Sequence, residues 1–226
     1  MKSYELKPAK GLSEQFEVLK ARVLSSLNGK ASGPVVLAFT SCRAGEGVSC
    51  VAANFAATLS EDGDRNVLLA DADLRRPSLH KLFPREALLG DDASDSNSKD
   101  DYKALPTAAW RVLKANDHLD VLILNTERLT NPQKVFGSGA FTEFLKEARK
   151  KYDFVILDCP PVHGSNGSTV IPARADAAVL VIEAERLRRE VIQRSITLLE
   201  DTGTNILGVV LNKRRYPIPG FIYRML

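Results

Sequence analysis

The 226-residue chain predicts an α/β fold, a doubly wound and mostly parallel sheet with helices on both faces. Short apolar runs alternate with segments of helical periodicity, which is typical of strand–helix–strand units with right-handed crossovers. Several runs are continuously apolar, as expected for strands that are buried on both faces of a parallel sheet. The predicted strands are 34–40, 66–71, 119–124, 153–158, 177–182 and 206–211.

The predicted helices lie between these strands. The small-residue segment VAANFAATL at 51–59 follows the first strand. A weaker apolar stripe predicts a helix over 186–202, which Gly203 is expected to end. Segment 138–151 places four apolar residues at i, i+3, i+4 and i+7, one face of a helix, and these are Phe141, Phe144, Leu145 and Ala148.

Composition bounds the function classes. An apolar content of 44% with 26% charged residues is ordinary for a globular protein, and a net charge of +3 provides no electrostatic basis for binding nucleic acid. No run approaches the roughly eighteen apolar residues of a spanning helix, and the first residues lack an apolar signal core, so we expect a cytoplasmic protein. The three cysteines, without C-x-x-C spacing, are expected to be reduced thiols.

One segment does not fit the alternation. The stretch GDDASDSNSKDD at 90–101, within 85–103, is acidic and has no periodicity, which predicts a mobile surface loop. The chain shows no internal repeat and no change in composition that marks a domain boundary. We therefore expect a single domain over 1–226.

The loop TSCRAGEGVSC, between the first strand and its helix, is typical of a phosphate site. Gly45 and Gly47 allow backbone amides to close on a phosphate, and a helix N-terminus adds a partial positive charge. In a standard phosphate loop a lysine precedes a hydroxyl residue that binds Mg²⁺. Here Ser49 supplies the hydroxyl, but Val48 stands at the lysine position.

Aspartates follow two further strands. LLADADLRRPSLH at 68–80 presents Asp71 and Asp73 at i and i+2, on one side of an extended chain. FVILDCPP ends another buried strand with Asp158. A carboxylate at a strand end can hold hydrated Mg²⁺ or take a proton. The combination of glycine loop, Asp-x-Asp and further Asp indicates a nucleotide site.

These residues resemble the cytoplasmic kinase domain of bacterial tyrosine kinases, relatives of the Min and Par partitioning ATPases that work with polysaccharide co-polymerases in capsule and exopolysaccharide export. SCRAGEGVSC at 41–50 is similar to the family's S-x-x-P-G-E-G-K-S-T. Residues 68–80 resemble its second motif, and YDFVILDCPPV at 152–162 its third. GVVLNKRR at 208–215 and SEQFEVLKARV at 13–23 resemble its C-terminal segment and its assembly helix.

The resemblance implies a P-loop NTPase-like fold, ATP or ADP with Mg²⁺ as cofactors, and a role for each matching residue. Asp71 and Asp73 would be catalytic, serving the metal and the incoming tyrosine hydroxyl. Ser49, Asp71 and Asp158 would hold the metal. The nucleotide would be bound by Arg43, Gly45, Glu46, Gly47, Val48, Ser49, Cys50 and Asn212.

The resemblance also implies partners. A membrane-bound polysaccharide co-polymerase would recruit the chain to the inner face of the membrane. The 13–23 helix, in the region 1–30, would assemble a homo-oligomer. The basic and apolar tail 213–226 contains Tyr216 and Tyr223, the candidate phosphoacceptors.

Departures from the family motifs leave the function open. Val48 replaces the lysine, and Arg43, Arg75 or Arg76 could supply the missing charge. The favoured function is a tyrosine-kinase-like nucleotide-binding protein of exopolysaccharide synthesis with impaired or altered catalysis; an active form would be an ATP-dependent tyrosine autokinase. The alternatives are a pseudokinase that docks on a membrane co-polymerase, and a Min/Par-type ATPase regulator. The remaining departures are Ala44 for Pro, Cys50 for Thr, and Glu17 and Lys20 for two arginines of the assembly helix.

Overall fold

The computed structural model describes residues 11–27, 33–73, 75–82, 110–124, 139–164 and 168–214. The helices in these ranges are α1 (Ser13–Leu27), α2 (Val48–Ser60), α3 (Gly139–Ala148) and α4 (Arg189–Glu200). The strands are β1 (Val35–Ser41), β2 (Val67–Asp71), β3 (Trp110–Lys114), β4 (Leu119–Leu124), β5 (Phe154–Asp158), β6 (Ala177–Glu183) and β7 (Ile206–Asn212).

The strands form one seven-stranded sheet in the order β3-β4-β2-β5-β1-β6-β7. All neighbouring pairs are parallel except β3 and β4, which are antiparallel. The predicted α/β class and mostly parallel sheet are confirmed. In this order β5 lies between β1 and β2, so the three strands that precede the predicted motifs are neighbours.

Helices cover both faces of the sheet. Because side chains alternate along a strand, Leu37 and Phe39 of β1 pack in the core cluster of α1 and α2, whereas Val36 and Ala38 pack in that of α3. Residues of α4 form a third cluster with Leu180 and Ile182 of β6, on the face shared with α3. The burial of both faces explains why the strands are continuously apolar.

The element boundaries differ from the predictions in a few places. Strand β3 was not predicted; it forms a hairpin with β4 at one edge of the sheet. Helix α2 begins three residues earlier than expected, directly after the glycine loop, and α4 is shorter than 186–202. The predicted stop at Gly203 is confirmed, because this residue has φ +79°.

Some predicted segments cannot be compared with the structure. The acidic segment 85–103 and residues 215–226, with Tyr216 and Tyr223, lie outside the described residues. Within the described ranges, none of the helices has both the length and the apolar character needed to cross a bilayer.

Candidate nucleotide site

The sheet brings the three predicted motifs together. Asp71, the last residue of β2, is paired in register with Asp158 of β5, and Asp158 is paired with Phe39 of β1. The glycine loop follows β1, with Arg43 two residues after the strand ends at Ser41. All three motifs therefore meet at the carboxyl ends of adjacent parallel strands, where ligands bind in open α/β sheets.

The glycine loop requires its glycines. Gly45 and Gly47 have φ +87° and +89°, in the region that glycine tolerates best. A Cβ atom at Gly47 would lie 2.3 Å from Asn212 Nδ2. That amide donates a hydrogen bond of 2.9 Å to the Glu46 carbonyl oxygen, so the predicted nucleotide residue Asn212 holds the loop.

The side chains of Glu46 and Val48 point into the protein. Glu46 is fully buried, and its carboxylate accepts the backbone N–H groups of Arg43 at 2.7 Å and Glu183 at 3.3 Å. Val48 is 9% exposed and belongs to the core cluster that contains Phe39. Both residues therefore offer a phosphate their backbone amides, and the position that would carry the lysine is part of the apolar core.

Carboxylates and hydroxyls form an oxygen-rich cluster behind the loop. Asp71 is fully buried and accepts the backbone N–H groups of Ser78 at 2.9 Å and Leu79 at 3.1 Å. Ser49 and Ser78 place their hydroxyl oxygens 2.5 Å apart, and both contact Asp158. Asp158 is 2% exposed, and its Oδ2 atom has no hydrogen-bond partner among the described residues.

Burial shifts the protonation of both aspartates. It raises the pKa of Asp71 to about 6, against the hydrogen bonds that the carboxylate accepts. Burial, and next the charge of Asp71, raise the pKa of Asp158 to about 8. A cation at this site would stabilise both carboxylates in their charged form.

These residues fit Mg²⁺ bound together with a phosphate. Carboxylate and hydroxyl oxygens are the hard ligands that Mg²⁺ prefers, and Asp158 Oδ2 is buried and unpaired among the described residues. The described residues contain no group of three or more His, Cys, Asp or Glu side chains that could form an all-protein metal site. Mg²⁺ usually keeps several waters and is held by one or two carboxylates and substrate phosphates, which matches this arrangement.

The lysine and arginine side chains near the glycine loop form two separate groups. Lys213 follows β7; its ammonium donates to the Gly45 carbonyl oxygen and lies 3.3 Å from the Glu183 carboxylate. Arg186 pairs with the same carboxylate, and its hydrogen bond chiefly lowers the pKa of Glu183. The predicted substitutes Arg43, Arg75 and Arg76 instead line a cavity beside Asp73.

Sequence reasoning missed several of these residues. Ser78 belongs to the quoted second motif, and its place after Arg-Arg-Pro was the available signal. Lys213 lies next to the predicted Asn212, whereas nothing in the sequence indicated that Glu183 and Arg186 adjoin the glycine loop. The cysteines give no common site: Cys50 is exposed, while Cys42 and Cys159 are buried, and burial raises the pKa of both thiols.

Comparison with known proteins identifies the family. A family model described as "ParA: NUBPL iron-transfer P-loop NTPase" matches residues 34–220. The chain belongs to the ParA family of P-loop NTPases. Members of P-loop NTPase families in general bind a nucleotide and Mg²⁺.

Several proteins similar to this chain are named tyrosine kinases. The tyrosine-protein kinase YwqD of Bacillus subtilis (strain 168) is 29% identical over 203 residues, covering 90% of this chain and 81% of the relative. The kinase domain of the Escherichia coli tyrosine kinase ETK superposes with a TM-score of 0.68 at 25% identity, covering 90% of this chain and 78% of that one. The chimeric protein CapA2B2 has the same fold, with a TM-score of 0.72 at 23% identity and coverages of 92% and 88%. The resemblance to bacterial tyrosine kinases and the P-loop NTPase-like fold are confirmed.

Proposed function

We propose that the chain is a tyrosine-kinase-like, Mg-nucleotide-binding protein of exopolysaccharide synthesis whose catalysis is impaired. The observation that carries the proposal is the oxygen cluster of the half-buried Ser49 and the buried Asp71 and Asp158, set directly behind a glycine loop whose lysine position is occupied by a core valine. The similarity to named tyrosine kinases supports the choice of reaction.

Separate residues would bind the phosphates, hold Mg²⁺ and accept the proton. Backbone amides of Gly45 to Ser49 would bind the phosphates at the N-terminus of α2. Ser49 and Asp158 would hold Mg²⁺, which supplies charge neutralisation to the transferring phosphoryl group. Asp73 is half-buried within the second motif, two residues after β2 and beside the arginine-lined cavity, where it could accept the proton of a tyrosine hydroxyl.

The missing lysine accounts for the impairment. A hydrogen bond to a charged group contributes about 1.5–3 kcal/mol, and each 1.4 kcal/mol is roughly a tenfold change. Lys213 does not replace the lysine in this arrangement, because its ammonium is engaged by the Gly45 carbonyl and the Glu183 carboxylate. We expect weak nucleotide binding and a slow or absent transfer step.

Calorimetric titration with MgATP and MgADP tests the proposal. Wild-type protein should bind in a Mg²⁺-dependent manner, and Val48→Lys should bind at least tenfold more tightly, because a lysine at the start of α2 can extend its ammonium towards the phosphates. Ser49→Ala in the Val48→Lys background should reduce the Mg²⁺ dependence. No binding by either wild type or Val48→Lys would show that the nucleotide site is wrongly assigned.

A docking role without catalysis is the second candidate. The position of Val48 in the core favours it, because valine carries no charge and this side chain contributes only to apolar packing. In this case a membrane-bound polysaccharide co-polymerase would recruit the chain from the cytoplasm. Tyrosine phosphorylation that is lost in Asp73→Asn would argue for the enzyme, whereas equal signal in wild type and Asp73→Asn would favour docking.

The other activities named so far receive less support. The iron transfer in the family model's description would need metal-binding residues, but the three cysteines have no C-x-x-C spacing. A Min/Par-type regulator fits the family, although the similarity to named tyrosine kinases over about nine tenths of the chain favours the kinase-like role.

A further inference from the structure

A cavity of about 660 Å³ lies beside the glycine loop and is lined by four arginines. Arg43 comes from the loop itself, Arg75 and Arg76 from the turn after β2, and Arg194 from α4. Asp73 is the one carboxylate among the described residues that line this space. Side chains from three separate segments therefore make the cavity strongly positive.

The arginines have no ion-pair partners within the described parts of the chain. No carboxylate oxygen of those residues lies within 4.0 Å of any of the four guanidinium groups. The buried Lys20 and the half-buried Arg149 are each paired, whereas these four arginines are exposed, and their side chains can turn towards a ligand in the cavity. Four unpaired guanidiniums around one cavity favour an anionic ligand, and their planar donor pairs match phosphate oxygens.

The walls of the cavity are fixed relative to one another. Asp73 Oδ1 accepts the backbone N–H groups of Arg75 at 3.2 Å and Arg76 at 3.1 Å, which sets the turn that carries both arginines. The His163 backbone N–H donates to the Cys42 carbonyl oxygen at 3.2 Å, and its Nε2 atom lies 3.0 Å from the hydroxyl of Ser195 on α4. The loop, the third motif and α4 are thus tied together before a ligand arrives.

Part of the lining is apolar. Pro160 and Pro161, which follow β5, and Val191 of α4 line the same space as the arginines. This lining favours a ligand that combines a charged group with a flat apolar part. The volume lies within the range of small-molecule sites, about 300–1,000 Å³.

We propose that this cavity binds a phosphorylated tyrosine side chain, with the phosphate dianion among the four arginines and the ring against the prolines. The inference rests on the proposed function, because Asp73, the proposed acceptor of the tyrosine proton, lines the same cavity. A chain with this site retains the phosphorylated form of tyrosine in preference to the free hydroxyl form. It can thus bind proteins that carry phosphorylated tyrosine even where its own phosphoryl transfer is slow.

Titration of the full chain with phenyl phosphate, without nucleotide or Mg²⁺ and at a pH where the phosphate is a dianion, tests the inference. Phenyl phosphate should bind at least tenfold more tightly than inorganic phosphate, and phenol should not bind. Arg194→Gln, on α4 and outside the glycine loop, should weaken phenyl phosphate binding at least tenfold. The matched control is Arg189→Gln, at an exposed position on the same helix outside the cavity lining, which should leave the affinity within twofold.

Several results would overturn the inference. One is equal affinity for inorganic and phenyl phosphate, which indicates a site for free anions. Others are an unchanged affinity in Arg194→Gln and displacement of phenyl phosphate by saturating MgADP, which would locate the ligand on the glycine loop.

A parallel titration of wild type with MgADP separates the two proposals. Phenyl phosphate binding without MgADP binding contradicts the proposed nucleotide function and leaves the cavity assignment intact. MgADP binding without phenyl phosphate binding does the reverse.

Discussion

The residue at which this chain departs most from a standard phosphate loop is Val48. Its side chain contributes to the same core cluster as Phe39 and Phe55, so the position has become part of the apolar interface between α2 and the sheet. The oxygen cluster next to it is intact: Ser49 contacts Asp158, and Asp158 is buried with one oxygen unpaired among the described residues. Ionising this buried carboxyl group costs free energy in the ligand-free protein, which gives the site a measurable signature.

That signature is a pH dependence of stability. Burial raises the pKa of Asp158 to about 8, so between its unfolded value near 3.8 and about pH 8 the folded state holds more protons than the unfolded one. Stability therefore falls as pH rises through this window. We expect the Tm of the ligand-free protein to fall from pH 5 to pH 8.5, and Asp158→Asn to flatten that fall and to raise the Tm at pH 8.5.

Scanning calorimetry at several pH values measures this effect, at about 2–4 °C for each 1 kcal/mol in a chain of this size. Asp117→Asn is the control, since the Asp117 side chain is 93% exposed and should not change the slope. Parallel curves for wild type and Asp158→Asn would contradict the assigned protonation of Asp158.

At the level of elements, α1 is held to the domain by a polar side chain. Lys20 is 8% exposed; its ammonium lies 3.0 Å from Asp62, 2.8 Å from Glu17 and 3.5 Å from the Thr58 carbonyl oxygen. Burial opposes the charge, but hydrogen bonds from Lys20 to Glu17 and Asp62 outweigh it and raise the pKa of Lys20. The resemblance to bacterial tyrosine kinases predicts an arginine of an assembly helix at this position, but here Lys20 faces α2 of its own chain.

Removing the charge of Lys20 should loosen α1. Lys20→Met keeps most of the side-chain volume and leaves Glu17 and Asp62, whose side chains are 47% and 41% exposed, to be solvated. We therefore expect a loss of about 1–2 kcal/mol in the free energy of unfolding and faster amide exchange across 13–27. Lys146→Met, which breaks an exposed pair with Glu143 on α3, should change stability by less than about 0.5 kcal/mol.

Equal destabilisation by the Lys146 and Lys20 variants would show that α1 is not anchored by this contact. If α1 does assemble a homo-oligomer, as the resemblance suggests, its exposed face must provide the contact. Val18, which is 50% exposed, is then a better candidate than Lys20.

The elements also show which features of the fold could be predicted from the sequence. The strands β1, β2 and β5 were predictable because burial on both faces makes them continuous apolar runs, and parallel register then brings Asp71 and Asp158 together. Strand β3 was missed because it lies at the antiparallel edge, where WRVLK carries charged residues. The inward direction of Val48 and Glu46 could not be predicted from the sequence. It depends on packing against Phe39 of β1 and on the backbone of Glu183, which is 137 residues from Glu46.

Across the whole molecule, the glycine loop is held by residues at the carboxyl ends of β6 and β7, the two strands beyond β1 on one side of the sheet. Asn212 and Lys213 come from the end of β7, and Glu183 from the end of β6, more than 130 residues after the loop. Lys213 has φ +56°, an uncommon conformation for a residue with a side chain, and its ammonium reaches the Gly45 carbonyl oxygen. The loop therefore depends on the order of β6 and β7 beside β1.

Lys213→Met should release the loop without unfolding the domain. The substitution removes the hydrogen bond to the Gly45 carbonyl and the 3.3 Å ion pair with Glu183, which keeps its pairing with Arg186. We expect faster amide hydrogen exchange at residues 43–50, a Tm within about 3 °C of wild type, and MgADP affinity reduced about three- to tenfold, because the loop must then be ordered on binding. Lys114→Met, on β3 at the opposite edge of the sheet, is the matched control and should leave loop exchange unchanged. Exchange at 43–50 that is equal in wild type and Lys213→Met would mean that Asn212 and Glu46 suffice to hold the loop, and that the cation after β7 has no part in shaping the site.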